Sequence, residues 1–234
     1  MRRWRNAFMG LTLALLAGGC VTTSTDQGPA TMNYLALGDS YTIGEGVAEA
    51  GRWPVQLASA LRAEGIALAE PRIIATTGWT TDELSAAIDA AQPLGPFDFV
   101  SLAIGVNNQY RGREVGEYRE QFAALLERAI GFAGGRADRV LVLSIPDWGV
   151  TPFAIASGRD AAQIAEQLDA YNAAAAEVCA RRGVAFVDIT AISRERGAQA
   201  AMLADDALHP SQAMYALWTA RALPVARRLL GGGE

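Results

Sequence analysis

From residue 34 onward the chain alternates two kinds of hydrophobic pattern. Short, nearly unbroken apolar runs occur at 34–37, 72–75, 99–104, 140–145 and 184–187. Runs of this kind suit strands covered on both faces, as in a parallel sheet; a strand with one wet face would alternate apolar and polar residues. Between the runs the apolar period lengthens to that of a helix. Tyr118, Phe122, Leu125, Leu126, Ala129 and Ile130 mark one stripe, Ile164, Leu168, Tyr171, Ala175 and Val178 a second, and Leu84, Ala87, Ile88 and Ala91 a third. The third stripe is preceded by Thr80, with Glu83 three residues later, the form of a capping box. Pro54 suits the first turn of a further helix reaching about Glu64, and a last helix is expected to begin near Ser211. Strict strand–helix alternation implies right-handed crossovers and a three-layer α/β/α sandwich around a five-stranded parallel sheet.

The N-terminus follows neither pattern. Three arginines within residues 1–6 precede a mostly apolar stretch at 7–17, and small residues lead into Cys20. This is the layout of a secretory signal, and the stretch is short beside the ~20 apolar residues of a membrane-spanning helix. Leu15-Leu16-Ala17-Gly18-Gly19-Cys20 resembles a bacterial lipobox, with Leu one place further from the cysteine than usual. That resemblance implies a signal peptide over 1–19, lipidation at Cys20, a polar tether to residue 32 and a folded domain over 33–234. The protein is then expected to be an exported lipoprotein of the cell envelope, on the periplasmic or outer-membrane face, with plain secretion as the outcome if Cys20 is not acylated. The other cysteine, Cys179, falls on the apolar face of a helical stripe and reads as a core thiol.

Composition narrows the function. About 200 residues follow the leader, enough for one domain, and 51% hydrophobic residues supply a core. The net charge is -5 and no basic cluster follows the leader, which argues against nucleic acid as a partner. Its 20 cationic residues are all Arg, a bias that carries no functional weight here. No grouping of Cys, His and acids has metal-ligand spacing, so the expected chemistry needs neither metal nor cofactor.

In an open parallel sheet, ligands bind at the carboxyl ends of the strands. Ser40 follows the first apolar run, Gly78 the second and Asn107 the third, and His209 lies in the loop after the fifth. Taken singly, each has an ordinary reading: Ser40 as a helix cap, Gly78 as a turn glycine, Asn107 as a loop cap. Their joint placement favours chemistry. A serine hydroxyl must lose its proton to a base as it attacks, and His209 is the sole histidine. An acid three or four residues earlier, Asp206 or Asp205, can fold back onto the imidazole.

The blocks Gly38-Asp39-Ser40, Gly78, Gly105-Val106-Asn107 and Asp206-Ala207-Leu208-His209-Pro210 resemble, in order, those of the SGNH/GDSL hydrolases, from about Tyr34 to the last helix. The resemblance implies a flavodoxin-like SGNH fold and hydrolysis of carboxylic esters through an acyl-enzyme on Ser40. It makes His209 the general base and selects Asp206 as the third member of the triad. It assigns the oxyanion hole to the backbone N–H groups of Ser40 and Gly78 and the side-chain amide of Asn107. The substrate is then a small-molecule, glycan or lipid ester, with carbohydrate O-deacetylation or non-catalytic glycan binding as alternatives. One departure stands out: the family's third block usually ends Gly-x-Asn-Asp, whereas Asn108 occupies the aspartate position. Trp79, Tyr110, Trp148 and Phe153 are candidates to line a pocket, and Asp147 and Arg111 are expected on its rim.

Overall fold

The computed structural model describes Met1 and residues 31–231. The expected signal peptide beyond Met1 and the expected lipidation site Cys20 lie outside the described residues, as does nearly all of the expected tether. Met32 at the end of that tether already belongs to the fold, donating its N–H to Ala67 O at 2.7 Å and accepting from Ala69 N–H at 2.8 Å.

Five strands form, β1 (Tyr34–Gly38), β2 (Arg72–Ala75), β3 (Phe99–Ala103), β4 (Val140–Leu143) and β5 (Ala185–Val187). They pair in parallel in the order β2-β1-β3-β4-β5. β1, β3 and β4 are buried almost throughout, which is why their sequences are continuous apolar runs. The ends of β3, β4 and β5 differ from the apolar runs by one or two residues. Ile104, Ile145 and Val184 continue the core beyond the ladder.

Nine helices accompany the sheet among the described residues: α1 (Ser40–Ile43), α2 (Trp53–Ala63), α3 (Thr81–Ala90), α4 (Val106–Tyr110), α5 (Val115–Phe132), α6 (Pro152–Ser157), α7 (Ala161–Arg182), α8 (Thr190–Arg196) and α9 (Gln212–Leu230). α2 packs on α9, while α5 packs on both α3 and α7, so the two sets cover opposite faces of the sheet. Every residue of the expected stripes on α5 and α7 is buried. On α3 only Leu84 and Ile88 of the stripe are fully buried, Ala87 and Ala91 being half-covered. The helix starts were legible too: Glu83 accepts from the Thr80 N–H at 2.9 Å, and Ser211 caps α9. α1, α4, α6 and α8 were not anticipated, because four to seven residues hold at most two turns and no hydrophobic period can show.

Within the sheet, β1 leads to β2 on one side and β3 lies on the other. The order reverses there, and the crevice outside the carboxyl ends of β1 and β3 is where such a sheet receives a ligand. Ser40, Gly78 and Asn107 all emerge at that edge.

Candidate active site

Gly38 closes β1 where a side chain has no room: a Cβ would stand 2.1 Å from Thr42 Oγ1 and 2.5 Å from Ala103 O. The tight passage lets the chain turn directly from strand to helix. Asp39 caps α1, its carboxylate accepting the Tyr41 N–H at 3.0 Å. That carboxyl is buried, and burial pushes its pKa up to about 7 against the backbone N–H groups that pull it down. With Asp39 as the cap, Ser40 becomes the first helical residue. A first-turn N–H has no acceptor within its own helix. Among the described residues the Ser40 N–H donates to no protein atom.

His209 sits in a loop bound on itself. Leu203 pairs with Pro210, Ala204 N–H donates to His209 O at 2.8 Å, and Ala207 N–H donates to Ala204 O at 3.0 Å. Ala207 has φ 59, the one left-handed non-glycine among the described residues. This costs on the order of 1–3 kcal/mol. The turn directs the N–H groups of Leu208 and His209 onto Asp206 Oδ1, each at 2.9 Å. Asp206 Oδ2 meets His209 Nδ1 at 2.5 Å. Partial burial would raise the Asp206 carboxyl, but the His209 ring and the two backbone donors outweigh it and hold it below the ordinary aspartate range. Asp205 is exposed and takes no part in these bonds. With Nδ1 held by the acid, Nε2 is the ring nitrogen left for a ligand, and the buried ring packs edge-on against Tyr41 at 5.6 Å.

The third wall comes from the loop after β2 and from α4. Gly78 has φ 89, a conformation that favours glycine. Asn107 Nδ2 donates to Trp79 O at 2.9 Å, and Arg111 Nη2 donates to Gly78 O at 2.6 Å. An amide nitrogen carries two hydrogens, so Asn107 retains one beyond the bond to Trp79. Asn108 points elsewhere. It is fully buried, accepts the Thr81 N–H at 3.1 Å and donates to Thr81 Oγ1 at 2.7 Å, tying α4 to the start of α3.

Ser40, Gly78, Asn107 and His209 converge on one cavity of about 230 Å³. Tyr110, Trp148 and Phe153 line it as anticipated, whereas Trp79 does not; it is half-buried against the core. Asp147 is not on the rim. It is buried, capping the turn at Gly149 and pairing with Arg194 at 2.8 Å. Four lining residues escaped the sequence reading: Tyr41, Thr77, Val106 and Leu208. All four adjoin motif residues in sequence, and adjacency to Ser40, Gly78, Asn107 and His209 was the signal that could have found them. Trp148 is steadied by Gln109, whose Oε1 accepts the indole N–H at 2.9 Å. Among the described residues no three of His, Cys, Asp and Glu gather as a metal site.

The model of the GDSL-like lipase/acylhydrolase family matches residues 36–217. No curated protein matches the sequence. Among solved structures, a protein named TesA superposes with a TM-score of 0.68 at 18% identity, over 85% of this chain and 100% of its own. A psychrotrophic esterase, EstA from Pseudoalteromonas sp., solved as inhibited by monoethylphosphonate, gives 0.66 at 14% identity over 86% and 100%. Axe2, an acetylxylan esterase from Geobacillus stearothermophilus, gives 0.60 at 19% identity over 86% and 95%. At these identities the likeness is one of fold.

Proposed function

The chain belongs to the GDSL-like lipase/acylhydrolase family, whose members hydrolyse esters, and on that premise we propose that it is a serine esterase acting through an acyl-enzyme on Ser40. The observation that carries the reading is the cavity shared by Ser40 and His209, with Asp206 bonded behind the imidazole. Asp206 accepts from Nδ1, which selects the imidazole tautomer whose Nε2 serves as base on the cavity side. As Ser40 Oγ bonds to the ester carbonyl carbon, its proton passes to His209 Nε2 and the carbonyl becomes an oxyanion. The imidazolium so formed is stabilised by Asp206, which stays ionised because its hydrogen bonds favour the charged form. The N–H groups of Ser40 and Gly78 and the second amide hydrogen of Asn107 are the donors for the oxyanion. Collapse breaks the bond to the alcohol, which leaves with the proton from His209. A water then gives its proton to His209, attacks the acyl carbon, and releases the acid as Ser40 regains its hydrogen.

The cavity walls are largely apolar: Tyr41, Val106, Tyr110, Trp148, Phe153 and Leu208. Its 230 Å³ is small beside the roughly 300–1,000 Å³ of drug-sized ligand sites, which favours a short acyl group. Asn108 stands outside the cavity and its amide is engaged by Thr81, so the departure at that position lends no support to glycan binding without turnover. Carbohydrate O-deacetylation is the short-acyl variant of the same mechanism. The lipobox-like leader supports attachment to the cell envelope through Cys20.

A series of p-nitrophenyl esters from acetyl to palmitoyl tests the reading, alongside labelling by a fluorophosphonate. Acetyl and butyryl esters should turn over fastest, and Ser40→Ala should lose labelling together with at least about 1,000-fold of kcat. A Ser40→Ala variant with wild-type turnover would refute the mechanism.

A further inference from the structure

We propose that Arg111 is a positioning residue for ester hydrolysis, anchoring Gly78 by its carbonyl so that the N–H of the same residue, on the preceding peptide, is held toward the developing oxyanion. The inference rests on the serine-esterase reading above.

The need for such a device follows from how weakly the Gly78 loop is packed. The only heavy atom within 4 Å of where a Gly78 Cβ would stand, apart from its chain neighbours, is Arg111 Nη2 at 3.9 Å. Trp79 packs against the core, but no core side chain reaches Gly78 itself, and the nearest backbone bond, Trp79 N–H to Thr76 O, is long at 3.3 Å. Glycine at φ 89 is also the residue with the most alternative conformations available to it. Hydrogen bonds must therefore supply the orientation that packing does not.

α4 supplies them. Asn107 and Arg111 stand four residues apart, one helical turn, and so face the same way. They donate to two consecutive carbonyls of the loop, Asn107 Nδ2 to Trp79 O at 2.9 Å and Arg111 Nη2 to Gly78 O at 2.6 Å. The peptides that follow Gly78 and Trp79 are thereby fixed relative to α4, which itself carries an oxyanion donor, and the Gly78 N–H, on the preceding peptide, is held through the anchored Gly78 Cα. Arg111 is in turn aimed by Glu83, which accepts from Nη1 at 3.1 Å while its other oxygen caps α3 at the Thr80 N–H, 2.9 Å. The guanidinium fork makes both contacts at a fixed angle, which the single ammonium of a lysine does not reproduce. Arg111 does not line the cavity, so it acts through Gly78 and not on the substrate.

Preorganised donors lower the barrier because they need not reorient as charge develops, and a misplacement of about 1 Å can cost ~100-fold in rate. The test compares wild type, Arg111→Ala, Arg111→Lys and Ser40→Ala on p-nitrophenyl butyrate, with inhibition by an alkyl trifluoromethyl ketone, whose hemiketal adduct with serine carries the oxyanion. Arg111→Ala should lower kcat by roughly 10- to 100-fold with KM within about threefold, and should weaken the ketone by the same factor as kcat/KM. Arg111→Lys should recover less than about a tenth of the lost kcat. Were Arg111→Ala not to fold, the lysine variant decides alone, because a kcat equal to wild type in it overturns the proposal. A folded Arg111→Ala enzyme that loses only thermal stability, with kcat and ketone affinity intact, also overturns it. Full turnover by Ser40→Ala overturns the esterase reading and this inference with it, whereas an inactive Ser40→Ala beside an unimpaired Arg111→Ala removes the inference alone.

Discussion

At the scale of single residues, the site is governed by where carboxyl and amide groups find hydrogen-bond partners. Asp206 and Asp39 are shifted in opposite directions by the same two influences. Asp206, half-exposed, has three donors and is held ionised; Asp39, fully enclosed, is raised to about 7 by burial. A raised aspartate stays protonated in the native chain at pH values where the unfolded chain has already released its proton. Native Asp39 therefore loses stability as pH rises from near 4, the unfolded value, through about 7, and no more above that. Asp206 has the opposite sign and acts only below about pH 4, so the windows do not overlap. Urea denaturation across pH 5 to 8 should show a stability decline of a few kcal/mol, at about 1.4 kcal/mol per pH unit, and Asp39→Asn should flatten it. An unchanged slope in the variant would mean that the carboxyl is not the group responsible.

Asn108 illustrates the same logic without charge. Its amide donates to the Thr81 hydroxyl, which donates onward to Gln121 Oε1. Gln121 Nε2 in turn donates to Glu117. Each group in this relay has its direction fixed by the next. An aspartate at 108 would accept the hydrogen bond of the Thr81 hydroxyl and leave Gln121 Oε1 without its donor, so asparagine at this position is matched to the helix partners beneath it.

At the scale of elements, short helices are aimed by glycines at strand ends. Gly105, the cap of α4, has φ 132, and a Cβ there would stand 2.5 Å from Tyr118 Cε2 and 2.8 Å from Ile145 Cδ1. Gly105→Ala meets both a forbidden dihedral and two core side chains, and it displaces the helix that carries Asn107 and is capped by Arg111. The expected outcome is a loss of about 2–4 kcal/mol in chemical denaturation, with kcat reduced more than KM is changed. Full kcat in the alanine variant would show that α4 need not be held at this register.

At the scale of the whole molecule, the sheet order brings three loops that are distant in sequence to one edge. β1 lies between β2 and β3, so residues 40, 78 and 107 emerge side by side, and α9 anchors the far end of the loop that carries His209. Helices cover both faces, leaving the carboxyl edge of the sheet as the place for chemistry. If the leader anchors this domain as its sequence suggests, the active site is tethered at the envelope by the stretch before Met32. Cys20→Ser should then move the protein from the membrane fraction to the soluble fraction with its esterase activity unchanged. Retention of the serine variant in membranes would point to another means of attachment.

Much of this was legible from residue order alone. The five strands, the α5 and α7 stripes, the Thr80 and Ser211 helix starts and the family blocks are local patterns, fixed by side-chain period, capping chemistry and short motifs that need no knowledge of the rest of the chain. The pairing of His209 with Asp206 in preference to Asp205 was foreshadowed only by family spacing; its geometric cause is the left-handed turn at Ala207. What tertiary structure decided depends on contacts between segments dozens of residues apart. Asp147 turned inward because Arg194 and Ser193 receive it from α8. Trp79 fell outside the cavity, and Arg111, which the sequence placed only on a rim, came to hold the Gly78 carbonyl across 33 positions of sequence. A side chain's period reveals which face it buries, but its partner is chosen by the crossing of the chain, and no local pattern encodes that.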